Sequence, residues 1–374
     1  MWGMRTRLTF CLSVAVLTGL IVTAAASAPE PPTAKNWDPA AAGRYLESRV
    51  AFWQTWANSQ RDHDTACVSC HTILPYAVAR PALQKMAAAS VGTASEKHML
   101  ANVAKRVTLW RDVEPFYPDQ TRGIPKSSES RGTESVLNAL ILSTRDAGAG
   151  TLSDETRLAL SNMWALQMRT GPLKGGWAWL NFGLEPWEGP ASTFFGASLA
   201  AIALGRAPGR YVENADIQAQ ITLLKDYLRA GANSESLFNK LMIVWASGEL
   251  PGLLEPGTRK QIHDAALAAQ NSDGGWSMAV LAPWKRLDNT TIEAGSDGFA
   301  TALATLALLQ SGVPTSSPAM QSARGWLLSH QDPKSGAWPA MSVNRVRDPS
   351  TEPSKFMTDA ATGYAVLALT RDWN

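Results

Sequence analysis

The chain has 374 residues, enough for one large domain or two average ones, with 45% hydrophobic residues and a formal net charge of +2. That near-neutral balance includes no basic stripe for nucleic acid and no polybasic segment for a lipid surface, so neither is expected as a partner. Three cysteines, five histidines and fifteen tryptophans are the residues whose placement most constrains the chemistry.

At the N-terminus, Arg5 and Arg7 precede an uncharged apolar run from Leu8 to Ala26, closed by the small residues Ala26, Ser27 and Ala28. This is the pattern of a secretory signal peptide over residues 1–28. Cleavage would remove Cys11 with the two arginines, which balances the remaining bases and acids. A retained segment would instead act as a membrane anchor. No later apolar run is long enough to span a bilayer, so the cleaved chain is expected in the periplasm or outside the cell, without stable membrane insertion. The Pro- and Ala-rich residues 29–40 read as a flexible leader.

From residue 41 onward, helical periodicity dominates and alternating strand patterns are almost absent, which predicts an all-α protein. Six helix pairs are expected: 41–58 with 72–88, 95–111 with 133–145, 154–168 with 192–205, 215–230 with 235–247, 258–270 with 297–311, and 319–331 with 359–370. The first member of each pair is amphipathic, as in Ile217, Leu224 and Leu228 against Lys225, Asp226 and Arg229. The second is apolar on nearly every face, as from Phe299 to Leu309. Amphipathic helices belong outside and apolar ones inside, so the pairs predict an α/α barrel (toroid) as a single domain over 41–374, of which 41–132 includes the Cys67–His71 segment and the first two pairs are inferred from the rest. The long connections run from outer to inner helix, placing them together at one functional mouth.

Cys67-Val68-Ser69-Cys70-His71 falls in the first of these connections. C-x-x-C-H is the attachment pattern of c-type haem, in which two thiols form thioethers with the porphyrin and the adjacent imidazole is the proximal iron ligand. The expected cofactor is therefore covalent haem c on Cys67, Cys70 and His71. Two other readings stay open: a thiol-disulfide pair, which needs a lowered thiol pKa, and half of a zinc site, which needs further ligands. A sixth iron ligand would favour electron transfer and an open position would favour oxidation of a substrate. The candidates are Met278, Met341, Met357, His63, His98, Met86 and Met99. Pro75, Tyr76 and Pro81 are expected to pack round the porphyrin.

The last two thirds of the chain contain an internal repeat. Gln270 to Trp276 recurs as Gln331 to Trp338, and the helix openings at Asp297 and Asp359 keep the same offset as the two tryptophans. A looser copy joins Gln167 to Gly175-Gly176-Trp177. These Gln-Gly-Trp repeats resemble the QW repeats of the squalene and oxidosqualene cyclase and prenyltransferase superfamily, over about residues 154–374. The resemblance implies an α/α toroid in which the Gln caps a neighbouring helix and the Trp stacks on it. It does not carry the reaction over: the Asp-x-Asp-Asp acid of hopene-forming cyclases is absent, Asp62-His63-Asp64 being the nearest run, and so are paired magnesium-binding acids and a prenyltransferase zinc set.

In the six-pair arrangement, His71, Glu134, Ser192, Glu235, Asp297 and Asp359 open the inner helices as a ring below the mouth. Acids there offset the helix dipole and cap free amides; alternatively, Asp297 and Asp359 face a substrate and are the catalytic candidates. Tryptophans 177, 179, 187, 276, 284 and 338 either pin the repeats or line an apolar pocket. The resulting expectation is an exported haem protein acting in electron transfer, with a redox partner protein, or in oxidation of a small apolar, isoprenoid-like substrate. The rivals are a lipid- or glycan-binding barrel with a Cys67–Cys70 disulfide, and a cyclase- or lyase-type enzyme using the mouth acids.

Overall fold

The computed structural model describes residues 36–86, 92–115 and 126–373, together with Trp2. The signal-peptide segment and most of the leader lie outside the described residues. Of the two compact units, Met1–Ala34 and Lys35–Asn374, the second holds every element described below.

All six expected helix pairs are present. The outer and inner members are α1 (Pro39–Thr55) with α2 (Ile73–Lys85), α3 (Ala94–Thr108) with α4 (Lys126–Ala149), α5 (Asp154–Ala165) with α6 (Ser192–Arg206), and α7 (Gln218–Gly231) with α8 (Leu237–Glu249). They continue as α9 (Pro256–Ala268), followed by the single turn α10 (Met278–Leu281) and α11 (Gly298–Gln310), and α12 (Pro318–Ser329) with α13 (Phe356–Leu369). A two-residue hairpin, β1 (Gln60–Arg61) against β2 (Thr65–Ala66), is the only sheet among the described residues. The inner helices contact one another in the order α2, α4, α6, α8, α11, α13, and α13 returns to α2, so the ring closes as an α/α toroid. Ala and Gly on the inner helices allow that approach: Gly363 of α13 sits against Pro75 of α2, and Gly196 of α6 against the Trp179 ring.

The repeat residues hold neighbouring pairs together. The buried indoles of Trp177, Trp276 and Trp338 donate to the carbonyls of Met163, Ala266 and Leu327 (2.7, 2.7 and 2.8 Å), near the ends of the preceding outer helices where intrahelical donors run out. The amide nitrogens of Gln167, Gln270 and Gln331 donate forward to the carbonyls of Gln220, Ala319 and Asp38. Each acceptor belongs to the next outer helix or its cap, and Asp38 caps α1. Gln331 therefore ties the last pair to the first. Gly274 stands two residues before its tryptophan at φ +91°, and a Cβ there would lie 2.5 Å from the Ser322 carbonyl oxygen; Gly175 and Gly336 repeat the situation. Only glycine accepts both demands cheaply.

Two boundaries differ from expectation in ways that matter at the mouth. Helix α4 begins at Lys126 rather than near Thr133, so Glu134 lies within the helix, where Arg106 Nε donates to it at 2.6 Å. The 169–191 loop runs across the start of α4: the Leu180 amide donates to Thr133 Oγ1 at 3.0 Å, and Gly132 gives the loop room against the Ala178 carbonyl. Helix α13 begins at Phe356 rather than at Asp359, which puts Asp359 later in the first turn.

Removing the closing bonds gives a direct test of the ring. Gln331→Ala is expected to lower stability by about 1–3 kcal/mol in denaturant unfolding, from two to three lost hydrogen bonds. Limited proteolysis should then release α1 early, whereas Gln270→Ala should lose comparable stability with α1 still protected.

Candidate functional site

The loop carrying Cys67 to His71 is fixed at both ends. Trp53 of α1 donates its indole N–H to the Cys67 carbonyl at 2.7 Å, and the Cys67 amide donates to the Ser59 carbonyl at 2.8 Å. Ser69 Oγ accepts the amides of Thr72 and Ile73 (3.2 and 3.0 Å), supplying two of the donors that the start of α2 leaves free. The residue between the cysteines thus seats the motif on the mouth end of an inner helix.

Cys67, Cys70 and His71 all line one open cavity of about 1160 Å³, counted out to solvent. Its walls come from α1 and the loops before α2, α6 and α13, with Trp53, Trp56, Trp187 and Phe356 as the aromatic surface. Both thiols are free and buried. Burial pushes Cys67 up to about 11 and Cys70 well above its ordinary value, with Glu188 adding to the second. A disulfide-exchange pair runs in the opposite direction, toward thiolate. Among the described residues, no group of three or more His, Cys, Asp or Glu side chains is placed to hold a metal ion, which a structural zinc would need.

The imidazole of His71 is held on two sides. Its ring stacks on Phe356 at 3.9 Å between centroids with Trp53 edge-on at 5.0 Å, and its Nδ1 lies 2.9 Å from Thr72 Oγ1. Thr72 Oγ1 donates to Asp359 Oδ2 at 2.7 Å, so its lone pair is left to accept the His71 Nδ1–H. That assignment fixes the tautomer and leaves Nε2 as the basic nitrogen. Burial pushes the imidazole pKa down to about 3, with Arg49 and Arg347 adding, so the ring is neutral at ordinary pH. A neutral imidazole whose second nitrogen is oriented by a hydroxyl and a carboxylate is the arrangement metal-ligating histidines use. The donor set, the shared cavity and a buried Trp187 indole N–H without an acceptor fit a haem c group.

The catalytic candidates Asp297 and Asp359 have different settings, and neither lines this cavity. Asp297 accepts the amides of Phe299 and Ala300 as the cap of α11 and that of Met341 at 2.9 Å, and burial lifts it to about 6. Asp359 is fully buried and accepts from Tyr45, Arg49 Nε and Thr72 at 2.8, 2.8 and 2.7 Å. Of the other expected ring members, Ser192 donates to the Pro186 carbonyl and Glu235 accepts from Asn239. Of the sixth-ligand candidates, Met357 lines the cavity and is buried; Met278 and Met99 are buried elsewhere, while Met341, Met86, His63 and His98 are exposed. Pro75 and Tyr76 pack within the helix ring rather than on the cavity wall. Among the mouth tryptophans, 187 lines the cavity, 179 donates to the Trp187 carbonyl, and 284 donates to the Met278 carbonyl.

Two cavity carboxyls were not anticipated, Glu185 and Glu188, and burial raises both. Glu188 lines the cavity without a side-chain hydrogen bond or ion pair among the described residues, and burial lifts it to about 7 against a partial offset from Lys126. Nothing local in Trp187-Glu188-Gly189 announces it, since its setting depends on loops from other pairs.

No family model and no curated protein matches the chain. Among solved structures, a wild-type glycosidase is similar at 12% identity with a TM-score of 0.50, covering 88% of this chain and 96% of its own. A variant of a type II terpene cyclase from Scytonema, solved with geranylgeranyl dihydroxybenzoate, gives 14% identity and a TM-score of 0.48, covering 89% and 98%. Likeness at this level concerns the α/α toroid alone.

Three substitutions separate these roles. Asp297→Ala should cost about 1–2 kcal/mol through the lost cap, while Asp297→Asn, which still caps, should cost less. Asp359→Asn should cost about 3 kcal/mol or more, because it weakens the partner of a buried guanidinium. Glu188 has a folded pKa above its unfolded one, so its contribution is full below about pH 4.5 and lost as pH rises through about 7. Glu188→Gln should therefore melt higher than wild type at pH 8, and the difference should shrink as pH falls and vanish only below about pH 4.

Proposed function

We propose that this chain is an exported redox protein that carries one haem c, joined to Cys67 and Cys70 as thioethers and ligated at iron by His71, on a squalene-cyclase-like α/α toroid. The observation that carries the reading is that both thiols and the imidazole line one open cavity, with the imidazole already oriented through Thr72 and Asp359. Bound there, the group would supply one-electron chemistry. Cys67 and Cys70 would hold the group by adding S–H across its two vinyl groups, hydrogen going to the neighbouring carbon, so that attachment would need no oxidant. Thiols held neutral by burial are poorly suited to disulfide exchange.

Thr72 and Asp359 would keep His71 Nδ1 protonated and Nε2 directed at the metal, and Phe356 and Trp53 would hold the ring plane. Met357 also lines the cavity and would be the candidate to supply a thioether as a further iron ligand, which would favour electron transfer to a partner protein. Should iron keep that position open, the aromatic wall and the unpaired Glu188 would support oxidation of an apolar substrate with local proton transfer. The Gln-Gly-Trp repeats support kinship with the cyclase and prenyltransferase superfamily in fold.

The test is expression in a host with c-type haem maturation, with and without Cys67→Ala/Cys70→Ala. A Soret band, and haem staining after denaturing electrophoresis in wild type alone, are expected; a colourless wild type from a competent host would overturn the proposal. Met357→Ala should then open the iron to carbon monoxide, while an unchanged reduced spectrum would exclude it as a ligand.

A further inference from the structure

We propose that the groove beside the cavity binds an amphiphilic anion, an oxyanion head on an apolar chain, through Arg345 and Arg347. This deepens the redox reading by naming a substrate class, and rests on that reading for the ligand's fate but not for its binding.

The segment from Ser342 to Arg347 is pinned at alternate residues. Arg286 Nε donates to the Ser342 carbonyl at 3.0 Å, the Leu287 amide to the Asn344 carbonyl at 2.8 Å, and the Val346 amide to Asp288 Oδ2 at 2.7 Å. The Asn344 side chain also clamps the backbone of Glu185, accepting at 2.8 Å and donating at 2.6 Å. Arg345 and Arg347 are left over. Neither has a hydrogen bond or ion pair among the described residues, and both line a groove of about 1110 Å³.

Other charges on the groove are already committed. Glu293 is held by Arg286 at 3.0 and 2.6 Å, Asp332 accepts from Lys334 N and Ser335 Oγ, and Lys355 is paired with Glu352 at 2.9 Å. Arg347 is held below its usual range by burial and then by Arg345, so two like charges share the site uncompensated. A guanidinium pair on a fixed backbone suits the planar or tetrahedral oxygens of a carboxylate or phosphate.

The apolar half of the ligand follows from what adjoins the pair. Arg347 and Ser342 line both the groove and the cavity of His71, so a head held at Arg347 stands at the entrance to the aromatic wall. Met341 and Val346 are 42% and 62% exposed on the groove side and add an uncovered apolar surface. A simple inorganic anion would use the arginines and leave these surfaces wet.

The experiment is calorimetric titration of the full purified chain with decanoate, decyl phosphate, decanol and inorganic phosphate, each below its micelle concentration, with the visible spectrum of the same sample recorded. Binding of one or both decyl anions is expected, at least about tenfold tighter than decanol or inorganic phosphate. Which head binds distinguishes a fatty-acid-like source from a lipid or isoprenoid phosphate. Arg345→Ala/Arg347→Ala should lose about tenfold or more, and Arg345→Lys/Arg347→Lys should retain part of it, with circular dichroism unchanged in both. Equal binding of decanol, equal binding of inorganic phosphate, or an alanine variant that binds like wild type would each overturn the inference. A Soret band without anion binding sinks this inference and leaves the redox reading; anion binding in a colourless protein does the reverse.

Discussion

Ring closure is the constraint on which the rest depends. Six apolar inner helices cannot face water, and an open row of them would expose both ends, so the last pair must meet the first. The chain meets that demand with one repeated device. An indole caps the helix behind, an amide reaches the helix ahead, and a glycine lets the two backbones approach. At the seam the same device joins residues far apart in sequence, with Gln331 both accepting from the Asp38 amide and donating to its carbonyl.

The candidate site is assembled across that seam. Tyr45 and Arg49 come from α1, Thr72 and His71 from the approach to α2, and Phe356 and Asp359 from α13. No single pair contains the oriented imidazole. A carboxylate buried this deeply is expensive to desolvate, and its attraction to Arg49 only partly repays that. What the arrangement adds is direction: the three donors on Asp359 leave Thr72 one way to turn, and Thr72 then leaves His71 one tautomer. The seam that closes the fold therefore also fixes the electronic state of the nitrogen that would face iron.

This division explains what was legible in the sequence. Helical pairing was readable because each inner helix is apolar on every face and each outer one on a stripe, a local property. The repeat anchors and the Cys67-Val68-Ser69-Cys70-His71 motif were readable because their chemistry depends on spacing along the chain. The bond between Thr72 and Asp359 spans 287 positions, and Asp359 taken alone looks like any acid in a first helical turn. Glu188 and Arg347 were missed for the same reason. Each is an ordinary charged loop residue until loops from other pairs remove its water or its partners.

The cavity's electrostatics follow from that assembly. Glu188 stands on the loop before α6 and Arg347 on the loop before α13, and both line the space that holds the motif. Neither is recorded in an ion pair with the other or with a third group among the described residues, although a direct pair would relieve both. Burial instead lifts the acid toward neutrality and holds the base below its usual range, still charged. Polar groups without partners on the wall of an apolar cavity are what a bound ligand can satisfy. A ligand with an anionic end near Arg347 and an apolar body toward Trp187 and Phe356 would pair the base and cover the aromatic wall, and would leave Glu188 free to carry a proton.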